Sequence, residues 1–266
     1  MISTSSRKDD RLDARLLARL ARVDPQLLRP IRHRSERAQL HLVEIRARAA
    51  LVESRTSLVN AVRGLVKSFG ERLPKCDASQ MGVEQATSLS AEVQEAIRPL
   101  LEEVAALTKR IEIYDERIEY PETELLRQIN GVGALIALTF VLTLGDATRF
   151  EHSRDVGCYA GLRPKRCDSG QSQPQLRITK EGDAYLRKLL VQGAHCILSR
   201  RAPDTDLKRW GFKLAVHGGK NAKKRAVVAV ARKLAILLHR LWVTGEVYDP
   251  LRNSKLRAAE NQKTAA

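Results

Sequence analysis

The sequence predicts a mainly α protein, on three observations. Apolar residues recur at spacings of three and four through most of the 266 residues, and almost nothing alternates with period two. The breaks between periodic stretches carry Gly and Pro. The order read from them is a helical linker, a coiled-coil-like arm, and an all-helical domain containing a helix-hairpin-helix-like turn. With 43% hydrophobic residues the chain can bury a core.

Residues 11–21 and 35–69 read as amphipathic helices, the second on Leu58, Val62, Leu65, Val66 and Phe69. Asp24-Pro25 and Arg29-Pro30 punctuate the connection, and Gly70 and Pro74 end the second helix. Residues 90–118 place Val93, Ile97, Leu100, Val104, Leu107, Ile111 and Ile118 on one stripe, a long helix or short coiled-coil arm that Pro121 closes. A helix from Glu122 to Ile129, the turn Asn130-Gly131-Val132-Gly133 and an apolar helix over 134–144 follow. A Gly- and Pro-rich loop over 157–179 precedes helices over 182–200 and 220–243, and the polar tail after Tyr248 is expected to be disordered. The domain boundaries expected are 1–74, 75–121, 122–247 and a tail over 248–266.

Charge is segregated along this chain. Its net value is +16, yet residues 161–233 hold 18 Lys or Arg against 5 Asp or Glu, whereas residues 84–127 hold 5 against 11. A basic region so confined points to a polyanionic partner. Cys76, Cys158, Cys167 and Cys196 form no C-x-x-C pair, which with no signal-like start predicts reduced thiols and a cytoplasmic location. The longest apolar run, 132–144, falls short of the roughly 20 residues of a membrane helix, so no membrane partner is expected.

Several residues are candidates for chemistry. Ser169 stands beside Gly170 behind Arg163, Lys165 and Arg166, with Arg177 and Lys180 close in sequence. A hydroxyl can attack a phosphodiester where the backbone lets it approach and cations stabilise the charge that develops. Asp-Ser-Gly is also an ordinary turn sequence. Asp10 and Asp13 share one face of a starting helix, where they either help hold a divalent metal or simply favour the helix dipole. Gly131 and Gly133 can expose backbone N–H groups to a phosphate, or only turn the chain. Lys220, Lys223, Lys224 and Arg225 surround the start of the last helix, with Trp210 and Trp242 to either side, suiting either nucleic-acid contact or packing. The six histidines show no ligand spacing, and His195-Cys196 reads as packing.

Four stretches together resemble the Piv/MooV class of insertion-sequence transposases, in which a RuvC-like DEDD domain precedes a helical domain with a catalytic serine. They are Lys8-Asp9-Asp10-Arg11-Leu12-Asp13-Ala14; Ile129 to Ala137 with Leu144-Gly145-Asp146 and Phe150; Tyr159 to Pro164 through Asp168-Ser169-Gly170 and Ile178 to Arg187; and Gly218 to Asn221 leading into Lys224-Arg225 and Ala231 to Leu234. The resemblance implies that Ser169 is the nucleophile and that Asp10 and Asp13 are the last two acidic positions of a Mg2+ site. It implies DNA, both element ends and target, as substrate, with Arg187, Lys188 and the cations above on the nucleic acid. It further implies a structured guide RNA as a partner, a homo-oligomer held by the arm over 90–118, and association with the bacterial nucleoid. Only nine residues precede Asp10, too few to build a sheet. The expectation is therefore that the RuvC-like sheet is mostly missing, the acidic set incomplete, and the chain a truncated transposase; the alternative is a catalytically dead DNA- or RNA-binding remnant.

Overall fold

The computed structural model of the chain describes residues 9–25, 33–115, 121–172, 174, 176–216 and 219–256. Helix dominates among them, as expected, and they contain no sheet, only two isolated antiparallel bridges. The chain divides into two units, Met1–Glu36 and Arg37–Ala266.

In the first unit, α1 spans Asp10–Val23. It begins there because the Asp9 carboxylate accepts the Arg11 N–H at 2.9 Å. Asp10 and Asp13 occupy the first turn, where unpaired N–H groups favour negative charge. None of the α1 side chains is fully buried. Residues 26–32, with the Arg29-Pro30 break, lie outside the described residues.

The second unit opens with α2 (Glu36–Ser68), whose 33 residues span about 50 Å at the helical rise. Its partner is α3 (Ala91–Asp115), which returns antiparallel. Arg55 donates to the Thr108 hydroxyl at 3.2 Å, and near the turn Glu71 accepts the Ser90 N–H and hydroxyl at 3.0 and 2.7 Å. Val59, Val62 and Val66 close on Val93, Ile97, Leu101 and Val104, with Met81, Ala86 and Leu89 of the connection sealing the end. The stripe expected to hold subunits together is therefore consumed inside the chain, because an apolar face buries against whichever helix lies nearest. Ile118 lies outside the described residues.

A larger core gathers α4 (Pro121–Arg127), α5 (Ala134–Leu144), α6 (Ser153–Tyr159), α7 (Ala184–Ile197), α8 (Asp206–Val216) and α9 (Ala222–Thr244). Every residue of α5 from Ile136 to Leu144 is buried, as a helix without a polar face must be. The spine is α9, against which α6, α7 and α8 pack through Val230, Leu234 and Leu238. Leu42 and Ile45 of α2 pack on Leu138 and Leu142 of α5, so α2 serves both cores.

The tail corrects an expectation of disorder. Residues 248–256 are folded back, since Asp206 at the start of α8 captures their backbone. Its N–H donates to the Pro250 carbonyl at 2.8 Å. Its carboxylate accepts the N–H groups of Asn253 (2.7 Å) and Ser254 (3.2 Å) and the Ser254 hydroxyl. A polar segment stays unfolded only when nothing takes up its backbone groups. Residues 257–266 lie outside the described residues.

Candidate catalytic and nucleic-acid-binding site

Residues 161–165 pair antiparallel with 177–180, and 169 with 172, so the stretch is a ribbon rather than an irregular loop; residues 173 and 175 lie outside the described residues. Lys180 N–H donates to Gly161 O at 3.1 Å, Thr179 N–H to Arg163 O at 2.9 Å, and Lys165 N–H to Arg177 O at 2.8 Å. At the far end Ser169 and Ser172 exchange both backbone bonds, at 3.1 and 2.9 Å. Gly170, at φ +53°, opens the two-residue turn between them, as a tight hairpin requires. Ser169 thus stands exposed at the ribbon tip. With solvent on both sides of most of the ribbon, its sequence carries no alternation to betray the pairing.

The root of the ribbon is where the backbone is tightest. Gly161 (φ +68°) and Gly182 (φ +75°) face the opposite strand so closely that a Cβ would lie 2.1 Å from the Glu181 carbonyl oxygen and 2.0 Å from that of Tyr159. One guanidinium nitrogen of Arg187 donates to Ala160 O at 3.1 Å and Glu181 O at 2.8 Å, one carbonyl on each side of the root. Arg187, expected on the nucleic acid, is therefore engaged in clamping the ribbon. Asp183 caps α7 by accepting the Leu186 N–H at 2.7 Å and pairs with Arg46 of α2 at 3.1 Å, which ties the root to that helix.

Arg163, Lys165, Arg166, Arg177 and Lys180 are all exposed along the ribbon, and among the described residues none of the five is in an ion pair. Lys188 on α7 and Lys223, Lys224 and Arg225 at the start of α9 are exposed too. The Lys220 side chain and residues 217–218 lie outside the described residues.

One groove holds cations that are compensated. A groove of about 710 Å³ between α8, α9 and the tail is lined by Trp210, Arg209, Lys233, Arg240, Tyr248 and Arg252 among others. Arg209 donates to Asp204 at 2.9 Å, and Glu246 accepts Arg240 at 3.2 Å and Arg252 at 2.7 Å. The Arg209 hydrogen bond holds Asp204 below the usual carboxylate range, as the Arg252 hydrogen bond does for Glu246. Lys233 sits 3.8 Å above the Trp210 ring and covers that stacking face, and Trp242 meets Phe140 edge-on at 6.4 Å. Both tryptophans thus pack.

The glycine turn divides in role. Gly131 (φ +88°) packs against α7, where a Cβ would meet the Gly193 carbonyl oxygen at 2.8 Å. Gly133 is exposed at the uncapped start of α5 with open space around it. His239 is buried: its Nε2–H donates to the Ala147 carbonyl at 2.8 Å, Ser153 donates to Nδ1 at 2.9 Å, and its ring meets Phe150 edge-on. His195 and Cys196, expected to pack, are both exposed on α7.

Asp10 is exposed and Asp13 half-buried, one turn apart on α1. Among the described residues no group of three or more His, Cys, Asp or Glu is placed to hold a metal. Two carboxylates on one helix are part of a donor set, and a divalent cation requires about six oxygens.

Comparison with known sequences gives this arrangement its class. The profile of the transposase IS116/IS110/IS902 family matches residues 123–208, spanning α4 to the start of α8 with the whole ribbon. A second transposase profile, that of the IS110 DEDD domain, matches residues 2–70, and with it comes a dependence on divalent metal. The chain is 29% identical over 259 residues to the transposase for insertion sequence element IS1111A of Coxiella burnetii, covering 91% of this chain and 69% of the relative. It is 29% identical to a probable family 20 transposase of Pseudomonas aeruginosa (91% and 74% covered) and 30% identical to the transposase for insertion sequence element IS1328 of Yersinia enterocolitica (73% and 60% covered). These are transposases throughout. The chain belongs to the IS110 class of insertion-sequence transposases, and DNA is the partner that class brings with it. No helix among the described residues is long and apolar enough to cross a membrane.

Proposed function

We propose that the chain carries out DNA strand exchange in transposition with Ser169 as nucleophile. The observation that carries this reading is the placement of Ser169 at the exposed tip of a ribbon that carries five exposed cations along its length, none in an ion pair among the described residues. The Ser169 oxygen bonds to phosphorus, its proton leaves to solvent, and the bond from phosphorus to one deoxyribose oxygen breaks, that oxygen taking up a proton to become a hydroxyl. A DNA hydroxyl then attacks the same phosphorus, losing its proton to solvent while the serine regains one and leaves. Cations near the tip stabilise the negative charge that develops at the phosphate, and those nearer the root hold the flanking backbone.

Asp10 and Asp13 supply two carboxylates of the metal set, with Mg2+ as the ion. They do not make a complete site by themselves, so no step is assigned to the metal. A structured guide RNA and a second copy of the chain complete the assembly, the second copy meeting a surface other than the apolar stripe of α3. A reading in which the chain grips nucleic acid without cutting it is favoured by one observation, the lack of a third metal ligand near Asp10 and Asp13 among the described residues.

Incubating the chain with element-end DNA, guide RNA and Mg2+, then denaturing, distinguishes the two. A protein–DNA adduct that disappears in Ser169→Ala, while DNA binding is kept, supports strand exchange. Binding of equal strength with no adduct in either chain sinks it in favour of the second reading.

A further inference from the structure

Four arginines have a buried Nε–H without an acceptor: Arg34, Arg55, Arg232 and Arg240. In three of them the rest of the side chain is engaged. Arg55 donates to Thr108, Arg240 pairs with Glu246, and Arg34 has a further interaction. Arg232 is different: among the described residues it makes no hydrogen bond and no ion pair.

Its stem lies in a notch that the sequence provides. Arg232, half-buried on α9, runs across α6 at Gly157, where a Cβ would come within 2.8 Å of its Cγ and 3.3 Å of its Nε. Gly157 is also joined to the ribbon root, because its carbonyl accepts the Leu162 N–H at 3.1 Å. The Nε–H is closed in against α6, and the outer N–H groups of the guanidinium, which have no partner among the described residues, are left for an anion to take up.

We infer that Arg232 is a phosphate-binding residue, seated by the Gly157 notch, that holds a DNA phosphodiester at the root of the Ser169 ribbon. The inference rests on the DNA-binding part of the proposed function and not on the serine chemistry. From root to tip the extended ribbon runs eight residues, about 26 Å at the rise of a strand. Arg232 therefore grips a flanking phosphate and not the reacting one. A backbone contact is blind to sequence, so any mixed-sequence duplex serves as probe.

The test measures the affinity of the full chain for such a duplex against salt, with thermal melting of each variant. Arg232→Met keeps the apolar stem and removes the charge. The slope of log affinity on log salt is expected to fall by about 0.9, the value of one B-DNA phosphate contact. The Tm of the free protein is expected to hold or rise, because an unmatched buried N–H is gone. Arg110→Gln, a charge loss of equal size on α3, is expected to leave the slope alone. An Arg232→Met slope equal to that of the native chain overturns the inference. If the variant melts early, Arg232→Lys decides: a native slope there supports the phosphate contact, and a slope still reduced overturns it. A native chain that binds DNA without salt dependence sinks the DNA-gripping reading itself, which is a separate result.

Discussion

At the scale of single residues, the ribbon root concentrates what cannot be changed. Gly161→Ala and Gly182→Ala each press a methyl group into a carbonyl oxygen about 2 Å away, at positions where a side chain is already strained. Arg187→Met is gentler. It removes hydrogen bonds from a charged donor to two carbonyls, worth roughly 1.5–3 kcal/mol each when fully formed, less here for partial exposure. We predict that Arg187→Met lowers Tm while the salt slope of DNA binding stays native, since its guanidinium serves the fold. A slope reduced with no change in Tm would return Arg187 to the nucleic acid. The sequence showed that an arginine stands here but not its employment, because charge-rich composition does not distinguish a cation facing solvent from one turned inward on carbonyls.

Among the elements, the apolar spacing of α2, α3 and α9 was open to reading, and α5 runs over the residues expected, 134–144, on its unbroken apolar run between Gly133 and Gly145. The helices α6 and α8 were not expected: each buries only two residues, one of them a glycine, Gly157 and Gly211, where a helical stripe would show an apolar side chain. The order of residues 248–256 comes from a distant carboxylate, which no local pattern signals. Burial alone would raise the Asp206 carboxyl, but the Ser254 hydroxyl and the Asn253 and Ser254 N–H groups outweigh it and hold the group below its ordinary value. A carboxyl depressed in the folded state contributes stability above its unfolded pKa, about 3.9, and loses it as pH falls through the folded value. Amide exchange at Asn253 and Ser254, measured relative to the intrinsic rate at each pH, should therefore stay slow at neutral pH and quicken only below about pH 4. In Asp206→Ala it should be fast throughout. Exchange equally slow in the variant at neutral pH would show that something else holds the tail.

Across the whole molecule, charge rather than shape divides the labour. The acidic stretch over 84–127 falls largely on α3, and the basic stretch over 161–233 builds the ribbon and the helices around it. Neutralising Arg163, Lys165 and Arg166 together should flatten the salt slope by up to about 2.7, three phosphate contacts' worth, and cut affinity for any duplex alike. An unchanged slope would mean that these three cations face solvent in the complex. The segregation was plain from the sequence; that the hairpin closes on its own stripe was not, since an apolar face looks the same whether it meets another copy or its own chain.

The paired glycines at the ribbon root also decide what the ribbon can tolerate. They fix the two ends of the interval between them side by side, and among the described residues of that interval only Leu162 and Ile178, both near the root, pack into the helical core. A tip lengthened or shortened beyond those two side chains would leave the helical frame unrefitted.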